Sequence, residues 1–274
     1  MIILIYFQSM YSGRMKPDLV APGASVLTAY AHEEGKTVQV YGTSFSAPVV
    51  AGNAALIRQY FQEGNFPCSW SGCNIDPSGS LVKAVLLNSA RPLVGSEVSR
   101  PWLSKGDPEE ISEYDYNQGM GLIQLDKTLP IPGHNHIHAV MKNNKEIKDG
   151  EYHDIFIRAT PSSCIGTSYK REFSATLTWY DPAGSTSCAK CLLNDLDILV
   201  HWVTAEGTVK GGSRVYPNGL NRKDYDNNVE RVRFDMQNSR RYRIRIQASN
   251  LSTAETKYSM IASGCFKVIP NPAL

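Results

Sequence analysis

Two kinds of periodicity divide the chain. From Ser44 to about Gln62, Pro48 is the one breaker, and Ala51, Gly52, Ala54, Ala55, Leu56 and Ile57 make the segment apolar almost all round, which predicts a buried helix. Pro48 falls near the first turn, where no helical N–H partner is lost. A second helix is expected from Ser80 to Ala90, with Leu81, Val85 and Leu86 at helical spacing and Ser78 or Ser80 as its cap. Upstream, short apolar runs stop at Pro22-Gly23 and at Gly42. Beyond residue 150 the period becomes two: Tyr152, Asp154, Phe156 and Arg158 alternate with His153, Ile155, Ile157 and Ala159. Further strands are predicted at 173–180, 197–203, 229–236, 242–248 and 258–261. Many short strands without helices imply an antiparallel sandwich. Two prolines and a glycine within residues 129–136 mark the boundary, giving an α/β domain over 1–130 and an all-β domain over 137–274.

Composition changes this picture little. With 274 residues, 42% of them apolar, and a net charge of +2, the chain is long enough for two cores and has no global field for polyanions. Nucleic acid is therefore not an expected partner. The charge is uneven, however, with 9 basic and 12 acidic residues over 1–130 against 19 and 14 over 131–274. No apolar run reaches membrane-spanning length. Met1 to Phe7 reads as a strand or a truncation scar, not a signal peptide. Six cysteines, with close pairs at Cys68/Cys73 and Cys188/Cys191, favour an oxidising compartment, secreted or lumenal, endosomes and lysosomes included. The Asn250-Leu251-Ser252 sequon is compatible with that.

The densest chemical signal is the string Gly42-Thr43-Ser44-Phe45-Ser46-Ala47-Pro48-Val49-Val50-Ala51-Gly52. A serine delivered by a tight glycine turn into a helix N-terminus suits a nucleophile. Its backbone N–H is unpaired, the helix dipole favours an oxyanion, and the Thr43 hydroxyl stands beside it. The alternative is a serine that merely caps its helix. The string resembles the nucleophile motif of the subtilisin-like serine proteases, the subtilases. Lys16-Pro17-Asp18-Leu19-Val20-Ala21-Pro22-Gly23, the segment 83–90, Gly119-Met120-Gly121 and Leu125-Asp126 resemble flanking parts of that family. The resemblance implies a partial parallel-sheet α/β domain, Ser44 as nucleophile with its backbone N–H as an oxyanion donor, protein or peptide substrates and no organic cofactor.

The same resemblance places the triad aspartate and histidine upstream of the serine. Only 43 residues precede Ser44 here, and they contain no Asp-Ser/Thr-Gly string, one histidine (His32, followed by Glu33-Glu34) and no asparagine. Asp18 and His32 are the local stand-ins, and neither matches a family position. The chain is therefore expected to be inactive by itself, the C-terminal part of a serine endopeptidase. The alternative is a non-catalytic fragment whose sandwich stabilises or binds.

In the second half, the strings 177–182, 193–200 and 226–230 resemble a jelly-roll-like sandwich appended to one group of subtilases. Asp195 and Asp197 would share one strand face, and with Asp226 and Asn228 they could hold a structural calcium; turns and hydrogen bonds are the plainer use of these residues. Arg241, Arg243 and Arg245 alternate with apolar positions, as do Arg231 and Arg233. A solvated outer face accounts for this pattern, and a polyanion surface is the other reading. His134, His136 and His138 could meet a transition metal on one strand face, although no carboxylate or thiol completes the set. Cys68–Cys73 is the expected disulfide, and the remaining four cysteines leave three connectivities open.

Overall fold

The computed structural model describes residues 13–67, 74–93, 114, 118–160, 164, 171–188 and 190–272. A hairpin of β1 (Val26–Ala29) and β2 (Thr37–Val40) leads into α1 (Thr43–Gln62), followed by α2 (Gly79–Ser89). Eight strands come next: β3 (His138–Lys148), β4 (Tyr152–Ala159), β5 (Glu172–Trp179), β6 (Asn194–Val203), β7 (Val229–Asp235), β8 (Arg241–Leu251), β9 (Glu255–Gly264) and β10 (Phe266–Ile269). They form two antiparallel four-stranded sheets, ordered β10-β4-β8-β6 and β3-β9-β5-β7. One apolar core lies between them, with Ile155, Ile157, Ile198, Ile244 and Ile246 from the first sheet against Phe173, Leu177, Val232, Tyr258 and Met260 from the second.

The six strands predicted from alternation are present. β3 and β10 are additions. β3 is polar along Lys142-Asn143-Asn144-Lys145-Glu146, so it carries no period-two signal. It is an edge strand whose pairing with β9 shifts between Lys142 and Lys145, around the positive φ of Asn144. The disulfides Cys164–Cys265 and Cys188–Cys191 settle the open connectivity, while Cys68 and Cys73 lie outside the described residues.

The first part of the chain is β-poor. Among the described residues the only parallel pairing is the bridge Val20↔Leu122. Gly119 and Gly121 make that junction possible, since a Cβ on either would run into the backbone of Pro17 and Asp18, or of Arg91. The expectation that α1 is buried requires correction. Only Ser46, Ile57 and Phe61 are buried, and Leu56 is 56% and Val49 37% exposed. The reason is one-sided packing: Ile57 and Phe61 sit with Phe66, Leu81 and Val85 beside α2, and no described element covers the opposite face.

α2 is the buried helix instead. Ser78 caps it, accepting from the Leu81 N–H at 3.1 Å, and nine of its eleven residues are buried. One side meets α1. The other lies on β5 and β9, on the sheet face turned away from the inner core, and the contact there is largely polar. Ser78, Ser80 and Ser259 hydroxyls bond one another at 2.8–3.0 Å, and Thr178 Oγ1 donates to Ser80 O. Asn88 Nδ2 donates to Thr128 Oγ1 and Ser263 Oγ, both at 2.9 Å, and its Oδ1 accepts from Ser174 Oγ at 2.8 Å and Thr176 Oγ1 at 3.0 Å. That satisfies the whole amide. At the helix C-terminus the Arg231 guanidinium donates to Leu87 O and Ala90 O. Asn88→Ala strands buried hydroxyls on both β5 and β9; it should lower stability by about 2–3 kcal/mol, read from the urea midpoint at unchanged slope.

Candidate functional site

Ser44 lies where the hairpin enters α1. Gly42 is the N-cap residue, with φ 151° and ψ 157°, a backbone that a side chain would oppose. Its N–H donates to Gly23 O at 2.8 Å. A Cβ on Gly23 would collide with Ser46 Oγ and approach Gly42 O, so both glycines are needed to bring Pro22-Gly23 against the helix start. Ser44 is the second helical residue and is exposed, with Thr43 half-buried before it. The capping alternative is overturned, because the cap is Gly42 and no side chain caps the helix. Among the described residues no group bonds the Ser44 hydroxyl. Its N–H belongs to the first turn, where helix geometry supplies no acceptor, and no acidic residue in that turn offsets the positive end of the dipole. A neutral oxygen becoming an anion there would gain stabilisation.

The local stand-ins for a base are occupied elsewhere. Asp18 accepts from Lys16 Nζ at 2.7–2.8 Å and has Lys83 Nζ at 3.6 Å. Burial lowers the Lys83 pKa, and Asp18 opposes that shift. His32 is exposed in the hairpin turn, edge-on to Tyr30. No hydrogen bond joins either to Ser44.

In the second part, two of the three strings quoted from sequence, 177–182 and 193–200, meet in one corner. Trp179 Nε1 donates to Asn194 O, and the Asp181 carboxylate accepts from the Leu193 and Asn194 N–H groups and from Arg14. The Asp226 N–H donates to Asp224 Oδ1, and Asn228 Nδ2 donates to Trp179 O. Asp195 and Asp197 are near enough to repel each other, and both act on Glu230, which sequence reasoning missed. Its signal was an acid placed within the apolar alternation of β7. Glu230 is fully buried, one oxygen accepting from Ile198 N at 2.6 Å and the other without a partner. Asp195 Oδ1 and Asp197 Oδ1 are also buried and unpartnered, while Asp197 Oδ2 takes Lys223 Nζ at 2.7 Å. Burial, then repulsion from Asp197, raises the Asp195 pKa to about 7, and the same two causes raise that of Glu230. Among the described residues no three carboxylate, imidazole or thiol groups converge to hold a metal ion, so His134, His136 and His138 do not form a centre.

Residues 6–121 match the model of the Subtilase family. The serine protease/ABC transporter B family protein tagA of Dictyostelium discoideum is 29% identical over 281 residues, covering 91% of this chain and 14% of that protein. The tagB protein of the same organism is 26% identical, covering 93% of this chain and 16% of its own length. A C5a peptidase of Streptococcus pyogenes is 37% identical over 81 residues, covering 30% of this chain and 6% of that protein. The chain thus spans about a seventh of the length of the first two relatives.

The proton held by folded Asp195 is one that the unfolded chain releases near its ordinary value. The stability it contributes is complete below about pH 4 and is lost as pH rises through about 7. Asp195→Asn should therefore raise the melting temperature at pH 8 and leave it nearly unchanged at pH 4, in paired thermal scans.

Proposed function

From the match of residues 6–121 to the Subtilase family model, we propose that this chain carries the nucleophile-bearing part of a serine endopeptidase. In this reading residues 1–130 are the C-terminal part of a parallel-sheet α/β catalytic domain, and 137–274 form its appended jelly-roll-like sandwich. The observation that carries the proposal is the exposed, unbonded Ser44 hydroxyl at the uncompensated positive end of α1.

Ser44 Oγ would attack the carbonyl carbon of a protein or peptide substrate, giving its proton to an imidazole. The oxyanion would rest on the Ser44 N–H and the helix end, with Thr43 alongside. Collapse would expel the amine, which takes the proton back, and water would release the acid from the acyl-serine. No histidine or aspartate in these 274 residues occupies a family triad position, so acylation by this chain alone should be slower by several powers of ten. Two disulfides among the described residues support an oxidising, secreted or lumenal setting. No described helix is long and apolar enough to cross a membrane.

Fluorophosphonate labelling tests the assignment. The chain by itself should label no faster than its Ser44→Ala variant. Fusion to the upstream catalytic segment of the tagA relative should confer labelling that Ser44→Ala abolishes. Labelling of the chain alone removes the claimed inactivity, and a folded fusion that never labels favours the non-catalytic binding module.

A structural calcium would be held by Asp195 and Asp197, where the unpartnered oxygens are, with carbonyls and water completing the shell. Millimolar calcium at pH 7.5 should raise the melting temperature of the chain but not of its Asp195→Asn variant. An unchanged melting temperature removes the ion.

A further inference from the structure

The outer face of the sheet β10-β4-β8-β6 carries a concentration of guanidinium groups that the proposed peptidase chemistry does not use. Register places them. Arg241, Arg243 and Arg245 point outward along β8, because Tyr242, Ile244 and Ile246 between them enter the inner core. Arg158 of β4 lies opposite Arg241, and Lys267 of β10 lies opposite Arg158. Arg214, from the segment after β6, donates from Nε to His201 Nε2 at 3.0 Å, and His201 is the β6 partner of Arg243.

The compensation is small. Asp154 is the one acid on the outward face of β4, and Arg245 claims both its oxygens at 2.8 and 2.7 Å while stacking on Tyr152. Glu206 lies near Arg241. Among the described residues Arg243 has no hydrogen bond or ion pair, and its Nε–H is buried without an acceptor. The neighbouring His201 is in the same position. Its Nε2 accepts from Arg214, so Nδ1 carries the hydrogen, and Nδ1 is buried without a partner. Two unsatisfied N–H donors thus stand side by side on paired strands, within a field of cations. Arg243 has no partner among the described residues, while its two terminal nitrogens are not buried, which leaves its charge free to meet an anion.

We propose that this face binds a sulfated polysaccharide, with Arg243 taking a sulfate at its centre and Arg158, Arg214, Arg241 and Lys267 tracking the rest of the chain. The cations run in a row along β8 and across to β4 and β10, so the arrangement suits an extended polymer. Cations recur about 6.8 Å apart along β8 and about 4.8 Å apart between strands, and a planar guanidinium fork matches a sulfate's paired oxygens. The two disulfides argue for an oxidising compartment, where the abundant polyanions are sulfated glycans and not nucleic acids.

The whole chain on immobilised heparin tests this. It should be retained at 0.1 M salt and released as salt rises (about 0.1 M being the regime where such contacts are strong). Arg243→Gln should weaken binding about tenfold, as loss of a charge-assisted contact to a polyanion does. Arg158→Gln, at an exposed position that folding tolerates, should lower the eluting salt in the same direction. Arg243→Lys should recover only part of the affinity. Lys142→Gln with Lys145→Gln, on β3 of the opposite sheet, should change nothing. Equal elution of parent and both arginine variants overturns the proposal. So does equal competition by single-stranded DNA of the same charge, or by desulfated heparin, or equally tight binding to anionic vesicles.

Discussion

The structure depends on a helix that rests on a sheet through hydroxyl groups. α2 is buried on nearly all sides, and what holds it to β5 and β9 is largely a set of directional bonds centred on Asn88 and on the Ser78, Ser80 and Ser259 cluster. An apolar interface of the same area would tolerate sliding or rotation of the helix. This one does not, because any shift leaves buried donors and acceptors unpaired. The Arg231 guanidinium fixes the other end by taking the last carbonyls of the helix. α1 packs on α2, and Ser44 is placed by the start of α1. The position of the candidate nucleophile is thus inherited, through two helices, from the small polar side chains of a β-sheet.

That dependence explains which features the sequence announced. Strands with one core-facing side, such as Tyr152–Ala159 and Arg241–Leu251, showed their period because burial imposes it. The turn around Gly42 was equally legible, since only glycine accepts its φ of 151°. β3 was hidden because its partner-facing residues are asparagines and lysines at a sheet edge. The composition of α1 reads as buried on every side, yet burial is a property of what surrounds a helix, and its described neighbours occupy one flank.

The carboxylates near β6 show the same limit in chemical form. Spacing along a strand suggested Asp195 beside Asp197, and the two charges do act on each other. It could not show that Glu230 would arrive from β7 in the other sheet. Arg243 is the counterpart on the outer face: the alternation of β8 revealed a basic row, but its lack of a partner emerges only when β4 and β6 are laid beside it.

β9 serves two interiors. Its Met260 enters the space between the sheets, and the adjacent Ile261 enters the cluster under α2 with Ile57 and Phe61. Slipping this strand by one residue would exchange these two side chains and empty both hydrophobic compartments together. Its alignment is therefore the single mechanical coordinate shared by the β-rich half and the serine-bearing half, and neither can be repacked independently of the other.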